Sequence, residues 1–218
     1  MENGPSENIL RMCTRRLEAH RREVYSAAAM NIDLIPTGAN PPHELNVIIE
    51  VPVGGEPVKY EFDKKSGALF VDRILHTPMR YPANYGFVPH TLSPDGDPLD
   101  ALVVARSPFI PGSVVRVRPV AVLKLEDEAG GDEKLLTVPV DATFPYYSKV
   151  GESSDLPEIV MQQIEHFFTH YKDLEAKKWV RIGSWGDAEE ARQIVLEAIE
   201  AAKRAKDETG DDAGAKHL

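Results

Sequence analysis

The sequence predicts an α+β domain, on three observations. Between Leu45 and Val140, short apolar stretches are separated by Gly, Pro, Asn and Asp, the punctuation of a compact β-barrel or sandwich. Beyond Pro157 the apolar residues recur at helical spacing, in two separate runs. At 218 residues the chain has the length of one domain with tails, and enough surface to bury a substantial core.

Residues 1–29 carry five arginines and four glutamates with no strand pattern, while Leu10, Cys13, Leu17 and Val24 recur at roughly helical spacing. This extension reads as a partly helical, non-essential tail. Targeting segments avoid acids, and Glu2, Glu7, Glu18 and Glu23 argue against one. The domain proper is expected to span 30–206. Its predicted strands are Leu45–Val51, Pro57–Asp63, Ala68–Arg73, Ala101–Ala105, Val114–Leu125 and Lys134–Val138. A first helix is predicted from Pro157 to Leu174, with proline at an early position and Val160, Ile164, Phe167, Tyr171 and Leu174 on one stripe. It should pack on the strands. A second begins near Asp187 with Glu190 three residues on, as in a capping box. Ala191, Ile194, Val195, Ala198, Ile199 and Ala202 form its stripe, and it should end near Lys206. The polar residues 207–218 are expected to be a disordered tail.

Hydrophobic residues at 42% and charged residues at 28% are ordinary globular values, so neither disorder nor a membrane protein is suggested. The apolar runs are far too short to cross a bilayer, and arginines interrupt the N-terminus where a secretory signal would need an apolar run. Cys13 is the single cysteine, so no internal disulfide can form, and a cytoplasmic location is expected. A net charge of −10 argues against nucleic acid as a partner. Should so acidic a chain bind an anion, local cations must reverse the field, and bound metal ions are the strongest available.

Asp95-Gly96-Asp97-Pro98-Leu99-Asp100 sets three carboxylates within six residues of a Gly/Pro turn, just before an apolar strand. Such crowding raises pKa values unless a cation compensates, and hard oxygen ligands suit magnesium, manganese or calcium. An Asp-rich solvated turn accounts for the motif equally well. An EF-hand does not: counting from Asp95, the sixth position is Asp100 rather than glycine, and the twelfth is Arg106. A second acidic cluster from Glu126 to Lys134 spans a predicted hairpin, so Asp127 and Asp132 can stand at facing strand ends, although a charged surface hairpin reads the same way. Strand alternation puts Lys59 and Glu61 on one face of Pro57–Asp63, as in any half-exposed strand. Glu50 interrupts the apolar run Val47–Val51, where a carboxylate needs a partner. Arg73, Tyr81, Tyr85, Tyr171 and Lys172 are phosphate donors by type, and each has a structural explanation taken singly.

Their order resembles the soluble family I inorganic pyrophosphatases of the bacterial type, over about Asn31 to Lys206. The aspartate signature stands intact at Asp95–Asp100. It is preceded in order by Val58-Lys59-Tyr60-Glu61, Phe70-Val71-Asp72-Arg73 and Tyr81-Pro82-Ala83-Asn84-Tyr85-Gly86, and followed by Asp127-Glu128-Ala129-Gly130, Asp132–Lys134 and His166–Glu175. The resemblance implies a five-stranded OB-like barrel with peripheral helices. It implies metal binding by Asp95, Asp100, Asp127 and Asp132, with several Mg2+ ions, or other divalent metals, per active site. Asp97 would be the general base. Lys59, Arg73, Tyr85, Lys134, Tyr171 and Lys172 would hold phosphate, with Glu50, Glu61 and Tyr81 in support. Pyrophosphate would be hydrolysed by in-line attack of metal-activated water. A homo-oligomer, a hexamer in the family, is implied too, with His166 and His170 on the helix tied to subunit contact. The rival from another class is a non-enzymatic metal- or oligonucleotide-binding barrel.

Overall fold

β1 (Leu45–Val51) runs where the sequence predicts it and is buried along nearly its whole length, because it pairs on both sides. It lies antiparallel to β4 (Asn84–Phe87) on one edge and to β6 (Val114–Asp127) on the other. The chain is described here by a computed structural model covering residues 30–64, 66–128 and 130–211, with 209–211 as backbone only. From β4 the sheet continues through β5 (Asp100–Val103), then parallel to β7 (Gly130–Pro139), then antiparallel to β6. The β1–β6 pairing closes these strands into a five-membered ring, the OB-like barrel implied by the resemblance.

β6 is 14 residues long, enough to leave the ring and pair at its far end with β8 (Val180–Gly186). Shifts in register at Pro119–Ala121 and Leu123–Leu125 mark its bends. β2 (Val58–Asp63) and β3 (Ala68–Ile74) form a separate hairpin. Glu50 on β1 accepts a hydrogen bond from the Phe62 backbone N–H at 2.9 Å, which ties this hairpin to the barrel. Two strands escape the sequence prediction. β4 has only four residues and contains Gly86; β8 contains Gly183 and Gly186, which dilute its pattern. Gly86 is needed there, since a Cβ would lie 1.9 Å from the Ile48 carbonyl oxygen on β1.

α1 (Glu158–His170) is shorter than predicted: Pro157 is its N-cap, and Tyr171 caps its C-terminus. The chain turns away there, which leaves Leu174 63% exposed instead of on the buried stripe. Ile164, Phe167 and Phe168 bury against Tyr81, Tyr85 and Leu102 in one half of the core. α2 (Ala188–Asp211) covers the other half through Ala191, Val195 and Ala198, against Leu45, Val47 and Leu99. Asp187 accepts from the Glu190 N–H at 2.9 Å, but the Glu190 carboxylate pairs with Lys124, so the predicted capping box forms by half. Glu152 supplies a second cap, accepting from the Ala188 N–H at 2.9 Å. The helix continues beyond Lys206 to Asp211, so residues 207–211 are helical rather than a disordered tail. Residues 1–29, Cys13 among them, and 212–218 lie outside the described residues. No helix among the described residues is long and apolar enough to cross a membrane.

Candidate active site

One cleft of about 260 Å3 lies between the β2–β3 hairpin, the loop before β5, the β6–β7 turn and the end of α1. It is lined by all the residues implied for metal, phosphate and proton binding and their support: Asp95, Asp97, Asp100, Asp127, Asp132, Glu50, Glu61, Lys59, Arg73, Lys134, Lys172, Tyr81, Tyr85 and Tyr171. That volume is small against the roughly 300–1,000 Å3 of sites that take drug-sized ligands. It suits a small anion with its counterions.

The aspartate loop is held by its own turn chemistry. Ser93 N–H donates to the Asp97 carbonyl at 2.7 Å, Gly96 N–H to the Ser93 carbonyl at 3.0 Å, and Asp97 N–H to Asp95 Oδ1 at 3.0 Å. Gly96 sits at φ 91°, where a side chain would be strained. Leu99 is buried in the barrel and anchors the loop, while the Asp97 side chain is 78% exposed at the cleft. Asp100 then opens β5. The parallel β5–β7 register sets Asp100 beside Lys134, and Asp132 lies two residues back on the same face. Lys134 therefore bridges Asp100 and Asp132, the latter at 2.6 Å, and Tyr85 donates to Asp100 at 2.5 Å. Lys134 is 4% exposed, so the surface ion pair that its position in a charged hairpin suggests is in fact a buried one.

Burial leaves its mark on the titrating groups. Glu50, desolvated and near Asp100, is pushed up to about 8 despite the Phe62 N–H. Asp132 is pushed up to about 6, because burial and the neighbouring Asp100 outweigh its share of Lys134. Lys134 moves up as well: burial disfavours its charge, but two flanking carboxylates more than reverse this, and it stays an ammonium. Burial raises Tyr81 and Tyr85 well above the usual phenol range, so both remain hydroxyl donors.

Opposite the aspartates, the β2–β3 register pairs Lys59 directly with Arg73. Two cations face to face repel, and Glu61, Asp72 and Glu175 offset this. From the end of α1, Lys172 reaches Asp127 at 2.8 Å, and Tyr171 stacks on Phe167 with ring centres 5.0 Å apart. Eight carboxylates and six cationic side chains line the cleft, and each of those cations already stands by a carboxylate. A polyanion entering this balance requires further positive charge. Among the described residues, no three His, Cys, Asp or Glu side chains are drawn together closely enough to hold a metal ion as they stand; lysines space the acids apart. The donor set fits hard divalent cations all the same: it is all oxygen and carboxylate-rich, and burial, with Asp100 beside it, keeps Asp132 above the usual carboxylate range.

Sequence reasoning assigned no role to Lys64, Glu128 and Lys178, which also line the cleft, or to Asp72 and Glu175 behind Arg73. Asp72, Glu128 and Glu175 stand inside the quoted motifs, and their ion pairs only become visible in three dimensions.

The closed barrel and its charged cleft define the class: an OB-like barrel that gathers carboxylates, cationic side chains and tyrosine hydroxyls around one small cleft. Residues 47–203 match the family model described as inorganic pyrophosphatase. The chain is 61% identical over 174 residues to the inorganic pyrophosphatase of Brucella melitensis, covering 80% of this chain and 99% of that one. It also resembles the crystal structure of inorganic pyrophosphatase from Thermus thermophilus, with a TM-score of 0.76, 43% identity and coverage of 80% and 99%. The crystal structure of an inorganic phosphatase from Anaplasma phagocytophilum aligns with a TM-score of 0.76 at 52% identity, covering 78% of this chain and 99% of that one. The chain belongs to the inorganic pyrophosphatase family.

Proposed function

We propose that this chain hydrolyses inorganic pyrophosphate to two phosphates with magnesium as its usual cofactor. The observation that carries this reading is the convergence in one cleft of the five aspartates, two glutamates, four cations and three tyrosines that the resemblance implies for the site. Lys59, Arg73, Lys134 and Lys172 bind the phosphate oxygens as cations, while Tyr171, and Tyr85 once its hydroxyl turns from Asp100, donate hydroxyl hydrogen bonds. Glu50, Glu61 and Tyr81 support these groups. Asp95, Asp100, Asp127 and Asp132 hold the divalent ions. When bound, such ions neutralise the substrate's charge and bring the pKa of a water from ~16 towards ~7. Asp97, exposed at the mouth, accepts a proton from the attacking water at its carboxylate. The water oxygen bonds to one phosphorus, in line with the bridging oxygen, which departs with the other phosphate.

A single-strand binding barrel would offer open aromatic faces along a basic groove. Here Tyr81, Tyr85 and Tyr171 are buried, which favours the hydrolase. Phosphate release from pyrophosphate should require magnesium, stop on chelation, and far exceed release from ATP. Equal release from ATP would reject the substrate assignment. The protein is read as cytoplasmic and homo-oligomeric, a hexamer by family likeness. Exposed His166 and His170 on α1 are in keeping with this, and light scattering that reports a monomer would contradict it.

A further inference from the structure

We infer that Glu175 is a positioning residue for Arg73, setting where the guanidinium lies so that it meets the phosphate oxygens of pyrophosphate. The inference rests on the reading of Arg73 as a phosphate-binding group. Glu175 does not line the cleft. It sits in the turn after α1, its carboxylate 8% exposed, with Oε1 3.5 Å from Arg73 Nε. Contact at Nε leaves the terminal N–H groups of the fork for other partners.

Three observations point to positioning. First, Arg73 faces Lys59 across the hairpin, and its neighbour Asp72 is shared between the two, at 3.6 Å from Arg73 and 3.5 Å from Lys59. Glu175 is the buried counter-charge behind Arg73 that can hold it against that repulsion. Second, Arg73 Nε and Glu175 Oε1 are both buried and neither has a hydrogen-bond partner among the described residues. An ion pair that stops short of hydrogen bonding recovers little of its desolvation cost, so stability alone explains it poorly. It does leave the guanidinium able to shift towards an anion while remaining in the carboxylate's field. Third, the pair joins two groups of cleft residues. The turn carrying Glu175 also presents Tyr171 and Lys172. It is also tied to the loop that follows the hairpin, by Thr77 donating to the Tyr171 carbonyl at 3.3 Å. From Glu175 the alternation of charge continues through Lys178 at 3.7 Å to Glu128 and Lys172, so Arg73 and Lys172 are held by one network.

The test is a mutant cycle at saturating magnesium with Glu175→Gln, Arg73→Ala and the double variant, reading KM and kcat for pyrophosphate and the melting temperature of each. Glu175→Gln should raise KM about tenfold, within the coupling that contacting residues show, with kcat changed less than threefold. In the Arg73→Ala background the same change should leave KM within twofold. An equal KM effect in both backgrounds, or a fall in kcat alone, would overturn the inference. If Arg73→Ala itself leaves KM unchanged, the phosphate-binding reading of Arg73 fails first, whatever Glu175 does. Should Glu175→Gln lose its cooperative melt, Glu175→Asp carries the cycle: a smaller KM rise that disappears with Arg73→Ala supports positioning, and a wild-type KM refutes it.

Discussion

Replacing Glu50 with glutamine removes a charge from the barrel wall while keeping an oxygen to accept the Phe62 N–H at 2.9 Å. Glu50 is 6% exposed, and burial lifts its carboxyl from 4.5 to about 8. The native state therefore holds this proton where the unfolded state has lost it. The stability Glu50 contributes is full below pH 4.5 and is lost as pH rises through about 8. At about 1.4 kcal/mol per unit, the loss across that window is a few kcal/mol. Urea melts at pH 5, 6, 7 and 8 in chelator should show wild type and Glu50→Gln nearly equal at pH 5, with the variant more stable by a few kcal/mol at pH 8. Asp132, raised to about 6, falls in the same direction in both proteins and cancels from the difference. A stability difference that stays flat with pH would refute the reasoning, since Glu50 would then be ionised throughout and compensated in place.

Lys134→Met removes the buried cation shared by Asp100 and Asp132, and should destabilise the chelated protein by about 3–5 kcal/mol. Magnesium should return part of that in a thermal melt, because a divalent ion can take over the charge; no recovery would count against metal binding by these aspartates. Deleting residues 1–29 should leave the cooperative melt and most phosphate release intact, since every matched motif follows Met30, and loss of the transition would show that the extension packs into the domain.

Much of this architecture is legible in the residues because local pattern and tertiary demand agree. β1 appears at its predicted bounds, and the stripes of both helices face the core apart from Leu174, which lies beyond the end of α1. Disagreement arises where long-range contacts decide. Nothing local reveals that Asp100 and Lys134 are parallel-strand neighbours, so Lys134 reads as a surface lysine until the register buries it. β4 is too short for periodicity to show and exists because Gly86 lets it approach β1. Glu190 satisfies a capping pattern, yet Lys124 on β6 claims its carboxylate. The site residues were found through ordered motifs rather than individual chemistry. That is why Asp72 and Glu175, which act on Arg73 from behind, received no role.

The division of labour within the aspartate loop is the centre of the account, and one magnesium titration tests it most directly. Asp97 stands exposed at the cleft mouth, whereas Asp100 is held by Tyr85 and Lys134 at the start of β5. Steady-state turnover of Asp97→Asn and Asp100→Asn should be compared as magnesium rises. Asp97→Asn should lose about 10²–10⁴-fold in kcat, as when a general base is removed, and magnesium should not restore it. Asp100→Asn should recover at least partly, because extra metal offsets weakened binding. Rescue of Asp97→Asn by magnesium to the same extent, or near-normal turnover without it, would contradict its role as the base.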